Sequence, residues 1–259
     1  MTESPFRFIV SGAGSASFNM ALDEALFLLA GRPVLRFYRW DKLSVSMGRF
    51  QDPSALSRER VLRSGYPAVR RPTGGGWILH GDELTYSVVA PLSADGVKAA
   101  YRKLTRFLGC FYRDLGLDAG YACELSGYRE IRRTEICYAG NEPYDILVGG
   151  RKIGGNAQRV DRRRAVVLQH GSIPLRVKPE LLGVISETKS ELEHFGAAGL
   201  RELGIVEPED VLERRLEKAF RETQGMLESP SEPTEAERKL AANLIEEKYG
   251  REEWIWRKP

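Results

Sequence analysis

The sequence predicts an α+β protein, with a mixed or antiparallel sheet core flanked by helices. Segments of apolar period two and segments of helical spacing are interspersed, without the regular strand–helix–strand rhythm of a parallel sheet. With 259 residues, 42% hydrophobic and 29% charged, the chain can bury one large core, which excludes a disordered, collagenous or coiled-coil protein.

Residues 18–30 place Met20, Ala21, Leu22, Ala25, Leu26, Leu28 and Leu29 at helical spacing, with Ser17 or Asn19 as cap and Gly31 as stop. Residues 33–40 (PVLRFYRW) alternate apolar and polar and read as a strand, as do 43–48; residues 53–64 read as a helix. Residues 68–71 form a short strand that runs into a glycine loop. Residues 77–80 and 84–90 are predicted to pair as a hairpin around Gly81-Asp82. A helix follows over 98–115, then strands at 146–148, 151–153 and 165–174, the first two joined through Gly149-Gly150. Two polar amphipathic helices, 208–226 and 234–249, are joined by a linker at 229–233. The expected organisation is a catalytic domain over 1–206 with a helical extension, 207–259, packed on it.

No run approaches the 18 or so apolar residues of a membrane span, and the first residues lack a basic flank before an apolar block. Cys110, Cys123 and Cys137 form no CxxC, so neither a disulfide framework nor a zinc site is expected. A cytoplasmic protein that acts on no membrane is expected. The net charge of +3 is uneven: from Glu207 onward fourteen acids face ten bases, leaving twenty-two acids against twenty-nine bases before it. That basic body suits phosphate-bearing ligands or an acidic protein partner. Its arginines lie in short clusters (Arg70-Arg71, Arg132-Arg133, Arg162-Arg163-Arg164) with little aromatic interleaving, so nucleic acid is not favoured.

Chemistry concentrates in four places. In Arg70-Arg71-Pro72-Thr73-Gly74-Gly75-Gly76-Trp77, three glycines let a ligand approach the backbone, and two arginines add positive charge for a carboxylate, phosphate or thioester carbonyl. The spacing is not that of a Walker A loop, and a flexible hairpin tip is the plain alternative. In the segment from Gly149 to Arg159, Lys152 lies between glycine pairs, where its ammonium could polarise a carbonyl or favour the ionised form of a thiol; an ordinary surface lysine is the alternative. Cys110 sits on an apolar helix stripe and reads as core, Cys123 as structural. Cys137, in a polar irregular segment, is the candidate nucleophile, with Lys152 a better partner than His80, His170 or His194, none of which is adjacent in sequence. His170, in Gln169-His170-Gly171-Ser172, reads equally as catalytic or as a buried structural imidazole.

Taken together these strings resemble one superfamily. Asn19-Met20-Ala21-Leu22-Asp23-Glu24, the Arg70–Gly76 loop with His80 and Glu83-Leu84-Thr85-Tyr86-Ser87, Lys152-Ile153-Gly154-Gly155-Asn156-Ala157-Gln158-Arg159 and His170-Gly171-Ser172 are similar to the lipoate–protein ligases, octanoyltransferases and biotin–protein ligases. The resemblance implies the biotin/lipoate protein ligase catalytic domain fold, with Arg71, Thr73, Gly74, Gly75, Gly76, His80, Gly155 and Ala157 around the acyl group and Lys152 on its carbonyl. Within the superfamily, Cys137-Tyr138 and Tyr144-Asp145-Ile146, fifteen residues before Lys152, resemble the acyl-accepting segment of lipoate-ligase-like octanoyltransferases. This implies transfer of octanoyl from acyl carrier protein through a Cys137 thioester to a lysine of lipoyl domains or the glycine-cleavage H protein. It implies no cofactor, no metal and a monomer. An ATP-dependent lipoate ligase, an amidotransferase between H protein and lipoyl domains, and a catalytically silent subunit that only binds acylated carrier proteins are the alternatives. Trp77 and Gly81 depart from the family pattern and are placed beside the pocket, where they would bear on acyl-chain length.

Overall fold

In a computed structural model of the chain, residues 4–126, 134–137, 139–140, 142–187 and 196–259 are described. In chain order the strands are β1 (Phe6–Gly14), β2 (Val34–Trp40), β3 (Ser44–Met47), β4 (Ala68–Arg70), β5 (Ile78–His80) and β6 (Glu83–Pro91), followed by β7 (Ala119–Tyr121), β8 (Ile146–Val148), β9 (Arg151–Lys152), β10 (Gly155–Asp161), β11 (Val166–Pro174) and β12 (Leu227–Ser231). The helices are α1 (Ala16–Leu28), α2 (Arg58–Ser64), α3 (Val97–Asp114), α4 (Pro179–Ile185), α5 (Glu209–Gln224), α6 (Glu235–Leu244) and α7 (Glu252–Ile255). None is long and apolar enough to cross a membrane.

The main sheet has the order β10-β11-β6-β2-β1-β12. Its first four strands are antiparallel, while β2–β1 and β1–β12 are parallel, so the sheet is mixed, as predicted. On one face α3 and α5 close a core around Phe107, Phe111 and Phe220. On the other, α1 and α6 pack with Met20, Phe27 and Tyr249. Because helices cover both faces, β2 is not the half-exposed strand its alternation predicts: Arg36 is fully buried and bonded to Asp23, Asn19 and Ser11.

Several elements differ from expectation. Residues 77–90 are not a hairpin: β5 pairs with β3 in a small sheet, β4-β3-β5, while β6 turns away into the main sheet between β11 and β2. The cap of α1 is Ser15, whose hydroxyl accepts from the Phe18 N–H, rather than Ser17 or Asn19. The segment 229–233 is partly strand, since β12 lies parallel to β1 at the sheet edge. Strands β1 and β10 were not anticipated. Cys123 is exposed rather than built into the core, whereas Cys110 packs against it. Arg132-Arg133, Tyr138 and His194 lie outside the described residues.

Candidate active site

Between β4 and β5 the chain makes the glycine loop, and its shape is set from inside. The Arg71 guanidinium donates to the carbonyls of Gly74 (2.7 Å), Gly76 (2.7 Å) and Ser46 (3.1 Å). Arg70, fully buried, donates to the carbonyls of Gly48, Gln51, Ile255 and Arg257, tying the C-terminal residues beneath the loop. Burial, with Arg257 and Arg71 nearby, lowers its pKa to about 10. Both arginines brace backbone carbonyls; Arg70 is spent wholly inside, while Arg71 also reaches the wall of the cavity on which Cys137 opens. The glycines, too, have another reason than ligand approach. A Cβ on Gly76 would stand 2.5 Å from the Glu135 carbonyl oxygen and 2.9 Å from the Cys137 nitrogen, because the cysteine segment crosses there. Gly75 adopts φ +93°, a conformation natural only to glycine. Gly74 alone faces open space.

That crossing brings Cys137 in. The Trp77 N–H donates to the Glu135 carbonyl (2.8 Å) and the Cys137 N–H to the Trp77 carbonyl (3.1 Å), so the cysteine segment is zipped to the loop's exit. The Trp77 ring is fully buried in a separate core cluster and does not line the cavity on which Cys137 opens, and Gly81 lines another depression.

Lys152 approaches the cysteine from the β8–β9 hairpin. Its Nζ lies 3.9 Å from Cys137 Sγ, 2.8 Å from the Cys137 carbonyl oxygen and 2.7 Å from Asp145 Oδ2, and only 4% of the residue is exposed. Burial works against the ammonium, but Cys137 and Asp145 outweigh it, and the pKa is raised. Lys152 is thus a fixed cation beside the sulfur, not a base. Asp145, which holds it, belongs to the Tyr144-Asp145-Ile146 string but had no role assigned from sequence.

The thiol opens on a narrow apolar cavity lined by Met20, Tyr38, Trp40 and Ile78 and, among the anticipated residues, by Arg71, Gly75, His80, Gly155 and Ala157. Both imidazoles that reach it are fully engaged. His80 bonds Glu83 (2.8 Å) and Ser46 (2.7 Å) and stacks on Trp40 with centroids 3.9 Å apart. His170 bonds Asp23 (3.0 Å) through Nδ1 and Thr73 (2.6 Å) through Nε2. Burial lowers the His170 pKa against the pull of Asp23, so the ring is neutral at neutral pH. Both histidines thus share the cavity of Cys137, which their distance in sequence concealed. Thr73 is turned to His170 and, with Gly74, borders a different groove; Gly76 lies under the cysteine segment.

Asp23 is the residue that sequence reasoning missed. Fully buried, it accepts from Arg36 (2.7 Å), Ser87 (2.7 Å), Tyr38 (3.0 Å) and His170, joining α1, β2, β6 and β11 under the cavity. Burial opposes its charge, but Arg36 and His170 hold its pKa below the usual value. The available signal was Asn19, Asp23 and Glu24 on an otherwise apolar helix. Among the described residues no cluster of three or more metal-ligating side chains occurs.

Comparison with known proteins finds relatives along the whole chain. The model of the lipoyl protein ligase A/B catalytic domain matches residues 15–216. Octanoyltransferase LipM of Kyrpidia tusciae is 37% identical over 98% of this chain and 99% of its own. Octanoyltransferase LipM of Bacillus subtilis is 34% identical over 100% of both. Among solved structures, a lipoate-protein ligase A bound with ATP superposes with a TM-score of 0.82 at 27% identity, covering 98% of this chain and 99% of that one.

Proposed function

The chain belongs to the lipoyl protein ligase A/B catalytic domain family and is an acyltransferase, and we propose that it transfers octanoyl through a thioester on Cys137. The donor is an octanoyl thioester of acyl carrier protein, and the acceptor is a lysine of a lipoyl domain or of the glycine-cleavage H protein. The observation that carries this reading is the Cys137 sulfur, 3.9 Å from a buried ammonium at the wall of an apolar cavity.

The Cys137 thiolate attacks the octanoyl carbonyl. Lys152, held by Asp145, stabilises first the thiolate and then the oxyanion of the tetrahedral intermediate. The carrier sulfur leaves and takes up the proton that Cys137 gave, so one thioester replaces another at nearly equal energy. The acceptor amine then attacks the acyl-enzyme, an amide forms and the Cys137 thiol is released. Thioester to amide is downhill, so the sequence needs no ATP. Arg71, Thr73, Gly74, Gly75 and Gly76 shape the loop over the carbonyl, with His80, Gly155 and Ala157 along the chain.

The test is intact mass after exposure to octanoyl carrier protein without nucleotide. An octanoyl adduct on Cys137 that a lipoyl domain discharges supports the transferase. An absolute need for ATP, with no adduct, would overturn it in favour of a ligase.

A further inference from the structure

A second groove shares both walls of the acyl cavity. The glycine loop gives Gly75 to the cavity and Thr73 and Gly74 to the groove; β10 gives residues 155–157 to the cavity and 158–161 to the groove. The groove is basic. Arg49, Arg159, Arg162 and Arg163 line it, and Asp161, its acid, spends one carboxylate oxygen on the backbone N–H groups of Arg163 (3.0 Å) and Arg164 (3.1 Å). Arg159 shares the Glu24 carboxylate with Lys248, each at 2.5 Å.

One of its polar groups is left over. Arg49 Nε is buried without a hydrogen-bond partner among the described residues. Such an orphan is costly unless a bound partner completes it. Arg49 also stands among like charges: burial, then Arg159 and Arg257, lower its pKa. Gly74 leaves open space in the wall, and the exposed ring of Phe50 stands at the rim. Surplus cations in a groove continuous with the cavity call for an anion joined to a chain that reaches the thiol.

Building on the transfer reading above, we propose that this groove binds the phosphopantetheine arm of the acyl donor, its phosphate against Arg49, Arg162 and Arg163. From Ala157 to Asp161 the strand runs roughly 13 Å, a span that extended pantetheine covers between sulfur and phosphate. The arm then lies along β10 with its thioester at Cys137.

The experiment compares octanoyl-pantetheine with octanoyl-4′-phosphopantetheine as acyl donors, following the Cys137 adduct by intact mass. A preference on the order of tenfold for the phosphorylated donor is expected from one charge-assisted contact. That preference should shrink toward unity in Arg49→Gln/Arg163→Gln and at high salt. Equal use of the two donors by the unaltered chain overturns the assignment. If neither donor acylates Cys137, the transfer reading fails instead. Calorimetry on Cys137→Ser then judges the groove alone: 4′-phosphopantetheine binding more tightly than pantetheine upholds it, and equal affinity, or ATP displacing phosphopantetheine at lower concentration, overturns it.

Discussion

Lys152 and Lys248 are both largely buried, and each is salt-bridged to a carboxylate, at 2.7 Å to Asp145 and 2.5 Å to Glu24. Their pKa values nevertheless move in opposite directions. Burial lowers both; around Lys152, Cys137 and Asp145 reverse it, whereas around Lys248, Arg159 and Arg49 reinforce it against Glu24. The sign of the neighbourhood, not the depth of burial, decides. At one end of the site an ammonium is matched to a sulfur; at the other, cations outnumber the carboxylate between them.

The largest expected effect breaks the matched end. Cys137→Ser should abolish the acyl adduct and lower transfer by about 10³-fold or more, while Cys110→Ser and Cys123→Ser remain active; full transfer by Cys137→Ser would remove the covalent step. Next, Lys152→Met should cost on the order of 10²–10³ in turnover and slow iodoacetamide alkylation of Cys137 by less, since the oxyanion also loses its donor. Lys152→Arg should rescue only in part, because a planar guanidinium does not replace a point charge in this space. Alkylation indifferent to residue 152 would unpair the two.

At the cation-rich end, Glu24→Gln leaves Arg159 and Lys248 unmatched and should lower unfolding stability by about 3 kcal/mol, read from denaturant midpoints. A change within error would show that solvent already screens the cluster. The smallest effect is a pH dependence. His170 has a folded pKa below its unfolded value, so the unfolded chain binds the extra proton first. Its stability contribution is present above the unfolded value of about 6.5 and is lost as pH falls from there toward the folded pKa. His170→Gln should flatten the decline in Tm between about pH 7 and pH 5; an unchanged slope would place the proton elsewhere.

Helix and strand periods in this sequence determine the α+β class and most of its elements, because apolar spacing follows from which face each segment must bury. The Cys137–Lys152 spacing was legible for a related reason. A short hairpin through Gly149-Gly150 keeps the lysine close to the segment that precedes it. The roles of Arg70 and Arg71 were not legible, because a guanidinium next to glycines reads alike whether it faces a ligand or its own backbone. The false hairpin at 77–90 arose from two adjacent strands that join different sheets, a choice made by distant β3 and β11. His80 reaches the cavity through the pairing of β5 with β3, and Asp23 is set beneath His170 only by the packing of α1 on the sheet, across 147 residues of chain. Local spacing, then, determined the elements and the closeness of Cys137 to Lys152. Tertiary structure alone decided what surrounds them, because hydrogen bonds and charges between residues far apart in sequence leave no periodic trace along it.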